Sequence, residues 1–287
     1  MEFVQTITED NLILQGLLSE PKKKTDSIIL HIHGMSGNFW ENSFIKIMLK
    51  EYPENKLSFL TVETRGAELI RWFQTSNGKT KLIGNSYEIF EESTYDINAW
   101  VNFLKSKGYK HIHLQGHSLG CSKIAFYQKV MKNPLVKSLI FISPSDMMGL
   151  LVNDRDKPHY DRFLKEAKEL KKKGKENQLL SEIQWDFAMQ SAKSFLNFSF
   201  ENNNLAIFNY YNPEKGFDTI KSISVPMLSI LGTKDDGIVT DAYKSNEILK
   251  KNASNCKKFK GVVFENAKHE FEGFEDKIVK EVISFLH

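Results

Sequence analysis

The chain of 287 residues reads as an α/β protein. A mostly parallel sheet of about eight strands, flanked by helices and led by an antiparallel hairpin, is the expected architecture. Three observations carry this reading. Short apolar runs of the kind buried on both faces of a parallel sheet recur from Ser27 to Phe264. Stretches with helical spacing of apolar residues separate them. One long interval, from about Asp146 to Val225, contains no parallel strand. A bare crossover needs only a dozen or so residues, so this interval is an insertion.

The elements follow in order. Glu2 to Thr8 and Leu12 to Leu18 flank a Glu9-Asp10-Asn11 turn and form the hairpin. Ser27 to Ile32 and Leu57 to Val62 are the next strands, followed by His111 to Leu114, Ser138 to Ile142, Met227 to Leu231 and Val262 to Phe264. A helix from Tyr95 to Lys107 sets Ile97, Trp100, Val101 and Leu104 on one face, with Gly108 as its C-cap. Ile278, Val282 and Phe285 give the final helix its apolar side. The insertion opens on a polar turn, Asn153 to Pro158, and continues as a charged helix from Tyr160 to Lys173 closed by Gly174. Lys171, Lys172 and Lys173 suit the solvated C-terminal end of that helix. A second helical stretch is expected over Ile183 to Phe195, and then an aromatic segment with Phe195, Phe198, Phe200, Phe208, Tyr210 and Tyr211. These aromatics either pack the insertion onto the main domain or line an apolar pocket. The domain division is therefore 1–145 with 226–287 as the core, and 146–225 as an inserted helical unit.

Composition excludes several classes. Two cysteines cannot make a disulfide scaffold and fit a cytoplasmic chain with free thiols. The 39 Lys and Arg stand against 36 Asp and Glu, too balanced to point to nucleic acid. No apolar run reaches membrane-spanning length, and Met1-Glu2-Phe3-Val4 lacks the basic start of a secretory signal.

Chemistry concentrates at Gly116-His117-Ser118-Leu119-Gly120, a G-x-S-x-G pattern lying between the strand at His111 and a helix from Cys121 to Lys132. Strand, sharp turn and helix in that order make a nucleophile elbow. The flanking glycines leave room for a strained serine, and the helix start favours developing negative charge. A serine hydroxyl needs a base, and the base an orienting carboxylate, both downstream in this arrangement. Met227 to Leu231 runs into Gly232-Thr233-Lys234-Asp235-Asp236, and an acid at a strand's C-terminal end stands where open α/β sheets place their sites. Of eight histidines, His269 alone has the right position after that acid, in the loop before the last helix. His287 is the terminal residue.

The elbow after the fifth strand, the acid after the seventh, the histidine after the eighth and the insertion after the sixth together resemble the α/β-hydrolase superfamily over nearly the whole chain. The resemblance implies Ser118 as nucleophile, His269 as general base, and Asp235 or Asp236 as orienting acid. Gly232-Thr233-Lys234-Asp235 matches the family's Gly-x-x-Asp and favours Asp235. The Gly237-Ile238-Val239 spacing that follows is one residue longer than usual, which keeps Asp236 open. His33-Gly34 resembles the family's oxyanion loop, implying the backbone N–H groups of Met35 and Leu119 as donors. Arg65-Gly66 resembles its Arg-Gly turn, with Glu63 where an Asp is usual. The insertion is similar to the family's cap.

By this resemblance the chain is a serine esterase without metal or cofactor, similar to cinnamoyl esterases and monoacylglycerol lipases. It would cleave an ester or thioester of a small to medium, apolar or aromatic acyl group through an acyl-enzyme. Acyl transfer on the same residues, or a non-catalytic ligand binder, are the rival readings. The expected partner is a small-molecule ester, with a homodimer left open. The pairs His31/His33 and His111/His113 each share a strand face but bring no further ligand motif for zinc. Cys121 reads as a buried thiol, and Cys256 lies in a polar loop.

Overall fold

A computed structural model describes residues 1–152, 157–184 and 187–287. Of the turn expected at Asn153 to Pro158, Asn153 to Asp156 lie outside the described residues, as does Trp185, while Lys157 and Pro158 already belong to a helix. The leading hairpin pairs β1 (Glu2–Ile7) with β2 (Ile13–Ser19), Gln5 opposite Gln15. Thr8 closes its turn, the hydroxyl accepting from Leu12 N–H at 2.9 Å, and Asn11 adopts a φ of 70°. Next come β3 (Ser27–Ile32), α1 (Ser43–Glu54) and β4 (Ser58–Val62). A short hairpin of β5 (Arg71–Gln74) and β6 (Thr80–Ile83) follows, then α2 (Ser93–Ser106). The chain continues through β7 (His111–His117), α3 (Leu119–Met131) and β8 (Val136–Ile142). After the insertion, β9 (Met227–Lys234), α8 (Ala242–Asn252), β10 (Phe259–Lys268) and α9 (Glu275–Leu286) complete it. The main sheet has eight strands in the order β1-β2-β4-β3-β7-β8-β9-β10. Only β2 runs against the rest.

Alternation along the strands builds two cores. Ile28, Leu30 and Ile32 of β3, with Leu139 and Phe141 of β8, meet α2 and α3 on one face. Ile29, Ile140 and Ile142 point the other way, onto Phe44 and Met48 of α1 and Ile278 and Val282 of α9. Each such aliphatic side chain contributes about 1.5–3 kcal/mol when fully buried. Trp100 is buried in the first core and donates its indole N–H to Glu63 O at 3.2 Å, which satisfies its one polar group.

The insertion carries α4 (Met147–Val152), α5 (Lys157–Lys172), α6 (Ala192–Asn197) and α7 (Asp218–Lys221). Leu151, Tyr160, Phe163, Ala167, Leu180, Ala192 and Phe195 form a small core of its own. Of the helix expected over Ile183 to Phe195, the described residues form only the part from Ala192 onward. Gln184 and Ala188 exchange backbone hydrogen bonds, and Leu180 N–H reaches Gln190 O at 2.9 Å. Gln184 N–H and the carbonyls of Ala188 and Gln190, committed to those cross-links, are lost to an i→i−4 ladder. The helix starts instead at Ala192, capped by the Ser191 hydroxyl accepting from Ser194 N–H. The insertion is tied down by polar contacts. Asn197, Asn202 and Asn204 each donate to the Glu91 carboxylate at 2.8 Å, and Ser191 N–H donates to Ser86 O at 2.7 Å. Among the described residues no helix is long and apolar enough to cross a membrane.

Candidate active site

Three strand ends converge on one cleft. At the end of β7, Ser118 sits at φ 53°, ψ −123°, a conformation costly for a non-glycine residue, and α3 starts immediately after it. The neighbouring glycines are required by space. A Cβ on Gly116 would lie 2.5 Å from Cys121 N, and one on Gly120 would lie 2.2 Å from Ile32 O. At the end of β9, Asp235 is buried and Asp236 exposed. His269 follows β10.

Asp235 Oδ1 accepts from His269 Nδ1 at 2.7 Å and from Gly237 N–H at 2.8 Å. A carboxylate only accepts, so Nδ1 carries the imidazole proton and Nε2 is left with its lone pair. Burial pulls the His269 pKa down, but the hydrogen bond and charge of Asp235 outweigh it and hold it above the ordinary value. Burial likewise pushes Asp235 up, and the contacts with His269 and Ser143 hold it below the ordinary carboxylate value instead. Asp236 is among the residues of the cleft wall, apart from the His269 contact. The sequence leaves both acids open; both carboxylates lie within 4.8 Å of the imidazole, and among the described residues Asp235 alone of the two hydrogen-bonds it.

Two residues that the sequence reading does not single out complete the cluster. Ser143 follows β8 with its own φ of 54°. Its buried hydroxyl contacts Asp235 Oδ2 and stands 2.7 Å from His269 Nδ1. Ser145 Oγ lies 3.0 Å from Ser118 Oγ. Among the described residues it is the one hydrogen-bond partner of the Ser118 hydroxyl, and no hydrogen bond joins Ser118 to His269 here. The available signal was position. Ser143-Pro144-Ser145 sits at the C-terminal end of the strand between those bearing Ser118 and Asp235.

Met35 and Leu119 line the same cleft as Ser118. Among the described residues, neither backbone N–H has an acceptor in the protein. Gly34 lets the loop come close, since a Cβ there would stand 3.0 Å from Ser118 Cβ. His33 holds that loop. Its Nδ1–H donates to Gly34 O at 2.7 Å, and its Nε2 accepts from Thr64 N–H at 3.1 Å. Burial lowers its pKa to about 3, so it stays neutral in this role. His117 Nε2–H donates to His269 O at 3.0 Å and steadies the histidine loop. The other histidines expected on strand faces are engaged as well. His31 Nδ1 pairs with Gln115 at 2.9 Å and His113 Nδ1 with Ser138 at 2.8 Å. Cys121 is buried, its thiol on Gly116 O at 3.1 Å.

The cleft has a volume of about 1120 Å³. Met35, Leu119, Met147, Leu150 and Phe187 give it an apolar wall. Among the described residues Phe187 is the one aromatic of the insertion on that wall. Phe198, Phe208 and Tyr210 pack into the main core, and Phe195 into the insertion's own. Those four aromatics serve packing, while Phe200 and Tyr211 of the same segment are exposed. Asp146 joins insertion to core, its N–H donating to Gly237 O and its Oδ2 accepting from Tyr211 N–H at 2.8 Å. Burial pushes its pKa up to about 6. Arg65, in the Arg-Gly turn, is buried against Asp96 at 2.9 Å and also reaches Asp10 and Glu92.

Sheet order, elbow and helical insertion define this chain as an α/β-hydrolase in fold. Residues 80–287 match the family described as "Protein of unknown function (DUF1749)", and the chain belongs to that family. Its fold is similar to that of Est1E from Butyrivibrio proteoclasticus with ferulic acid bound, at 17% identity and a TM-score of 0.66, covering 99% of this chain and 98% of that one. The Pyrococcus furiosus esterase Pf2001 is similar at 18% identity and a TM-score of 0.65, covering 99% and 90%. The α/β hydrolase GrgF from Penicillium sp. sh18 matches at 15% identity and a TM-score of 0.65, covering 99% and 97%. No curated protein matches the chain.

Proposed function

We propose that the protein is a serine hydrolase of carboxylic esters. The observation that carries this is the strained Ser118 opening on the same cleft as the Asp235–His269 pair. In this reading Ser118 Oγ turns from Ser145 to His269 Nε2, which takes its proton as the oxygen attacks the acyl carbon. The N–H groups of Met35 and Leu119 receive the oxyanion, and losing one such donor costs about 3 kcal/mol of transition-state stabilisation. His269 then protonates the leaving alcohol and activates the water that releases the acid. The insertion acts as a cap over the cleft. The apolar wall favours a small to medium apolar acyl group, with Phe187 as its aromatic contact. Est1E, a structural neighbour, holds ferulic acid, an aromatic acid of that size.

A fluorophosphonate probe tests the reading. Native protein is expected to label covalently and Ser118→Ala not at all. A native protein that stays unlabelled, or a variant that labels equally, would sink the mechanism and leave a ligand binder. The pH profile is a second check. Imidazolium has no lone pair to offer, so activity is present above the His269 pKa and lost below it. Because that pKa is raised, the acid limb of kcat/KM for a p-nitrophenyl ester is expected above the ordinary histidine value of 6.5. A limb well below it would contradict an Asp235-coupled base.

A further inference from the structure

Ser143 has no part in the reaction as written above, yet every polar contact of its hydroxyl is with the pair that drives it. The residue ends β8, and its N–H donates to Ile230 O at 2.9 Å, anchoring it to β9, the strand that carries Asp235. Its φ of 54° turns the side chain toward the acid rather than into the core. The hydroxyl is fully buried and donates to Asp235 Oδ2. With that proton committed, its lone pair faces His269 Nδ1–H at 2.7 Å, as close as Asp235 Oδ1 itself. The imidazole N–H is thus shared between a carboxylate oxygen and a hydroxyl oxygen. Both carboxylate oxygens are occupied, Oδ1 by His269 and Gly237 N–H and Oδ2 by Ser143.

We infer that Ser143 is a positioning residue that clamps the Asp235 carboxylate and the His269 ring together, fixing the tautomer that leaves Nε2 free for Ser118. The inference rests on the serine-hydrolase reading above. Its physical basis is that a carboxylate held at one oxygen alone can rotate. Rotation lengthens the Asp235–His269 bond and lets the ring turn from the cleft. The second hydrogen bond removes that freedom before substrate arrives, which is what preorganisation requires. The left-handed backbone at Ser143 is the cost of placing a hydroxyl there.

Two variants separate the hydroxyl from the backbone. Ser143→Ala and Ser143→Gly both delete it, but glycine relaxes at φ 54° where alanine does not, so the glycine variant carries the test if the alanine variant folds poorly. Both are expected to slow fluorophosphonate labelling of Ser118 by about 10- to 100-fold, the scale of a lost hydrogen bond to a charged group. Turnover of a p-nitrophenyl ester should fall in kcat with KM near native, and Ser143→Gly should melt no lower than Ser143→Ala. Native labelling and kcat in Ser143→Gly would overturn the inference, because the backbone would then explain the residue. A loss confined to KM would overturn it as well. Failure of the native protein to label would strike the serine-hydrolase reading itself, and the inference with it.

Discussion

Replacing Asp235 by asparagine is expected to cut the kcat of an activated ester by on the order of 10⁴, while Asp236→Asn leaves it near native. The asymmetry follows from one contact. Asp235 Oδ1 stands 2.7 Å from Nδ1 of the half-buried His269 and is itself buried, whereas Asp236 projects from the cleft wall into solvent. An asparagine at 235 can present its NH₂ to Nδ1, which drives the imidazole proton to Nε2 and removes the lone pair that Ser118 needs. It also withdraws the negative charge that stabilises imidazolium during attack. A charge at 236 lies within 4.8 Å of the imidazole but is exposed, weakened by water and without a hydrogen bond to it. The measurement is kcat and KM for each variant on one p-nitrophenyl ester, with thermal midpoints to show that both are folded. Equal losses at 235 and 236 would mean that the acid exchanges between the two positions. A loss at 236 alone would reassign it.

What the residues reveal of this site follows physical range. Gly116 to Gly120, Asp235 and His269 are legible because each is written in a local pattern at a strand's end, and parallel strands bring such ends together. Met35 is legible through His33-Gly34, where the carbonyl that His33 holds is its immediate neighbour's. Ser143 and Ser145 are not, because serine in a Ser-Pro-Ser turn is common and its worth here depends on contacts 92 and 27 positions away. The main sheet reads well from its apolar runs. The β5–β6 hairpin does not, since four-residue strands with exposed charged and polar positions carry little alternation. The insertion is recognisable by what it lacks. Its interior is not, because apolar spacing alone does not tell a helix at Ile183 from the backbone cross-link between Gln184 and Ala188. Phe195, Phe198, Phe208 and Tyr210 face core rather than cleft for a similar reason. Composition counts rings but does not say which side of a chain they cover.

Lys123→Met is the stability counterpart, and is expected to cost about 3–5 kcal/mol. Lys123 lies on α3, five residues past Ser118, and its ammonium meets Glu88 Oε1 at 2.6 Å with both side chains wholly buried. Glu88 lies two residues past Ser86, whose carbonyl accepts from Ser191 N–H of the insertion. The Lys123 ammonium also reaches Thr64 Oγ1 at 3.5 Å, and Thr64 holds His33. Removing the cation leaves a buried carboxylate with no counter-charge, the costly half of breaking such a pair. Burial already pushes the Glu88 pKa up, with Lys123 opposing it, so loss of Lys123 should raise it further. The sign of the pH dependence follows. A carboxyl whose folded pKa lies above its unfolded value binds more protons when folded, so stability falls as pH rises between the two. The variant should therefore recover part of its loss as the pH is lowered toward the unfolded glutamate value of 4.5. Lys123→Met combined with Glu88→Leu removes both charges and should regain most of the native stability, since apolar replacements of buried pairs are often neutral. Urea midpoints across pH for the three proteins decide it. A single variant as stable as native at neutral pH, or a double variant no better than the single, would show that the pair does not couple α3 to the segment around Ser86 in this way.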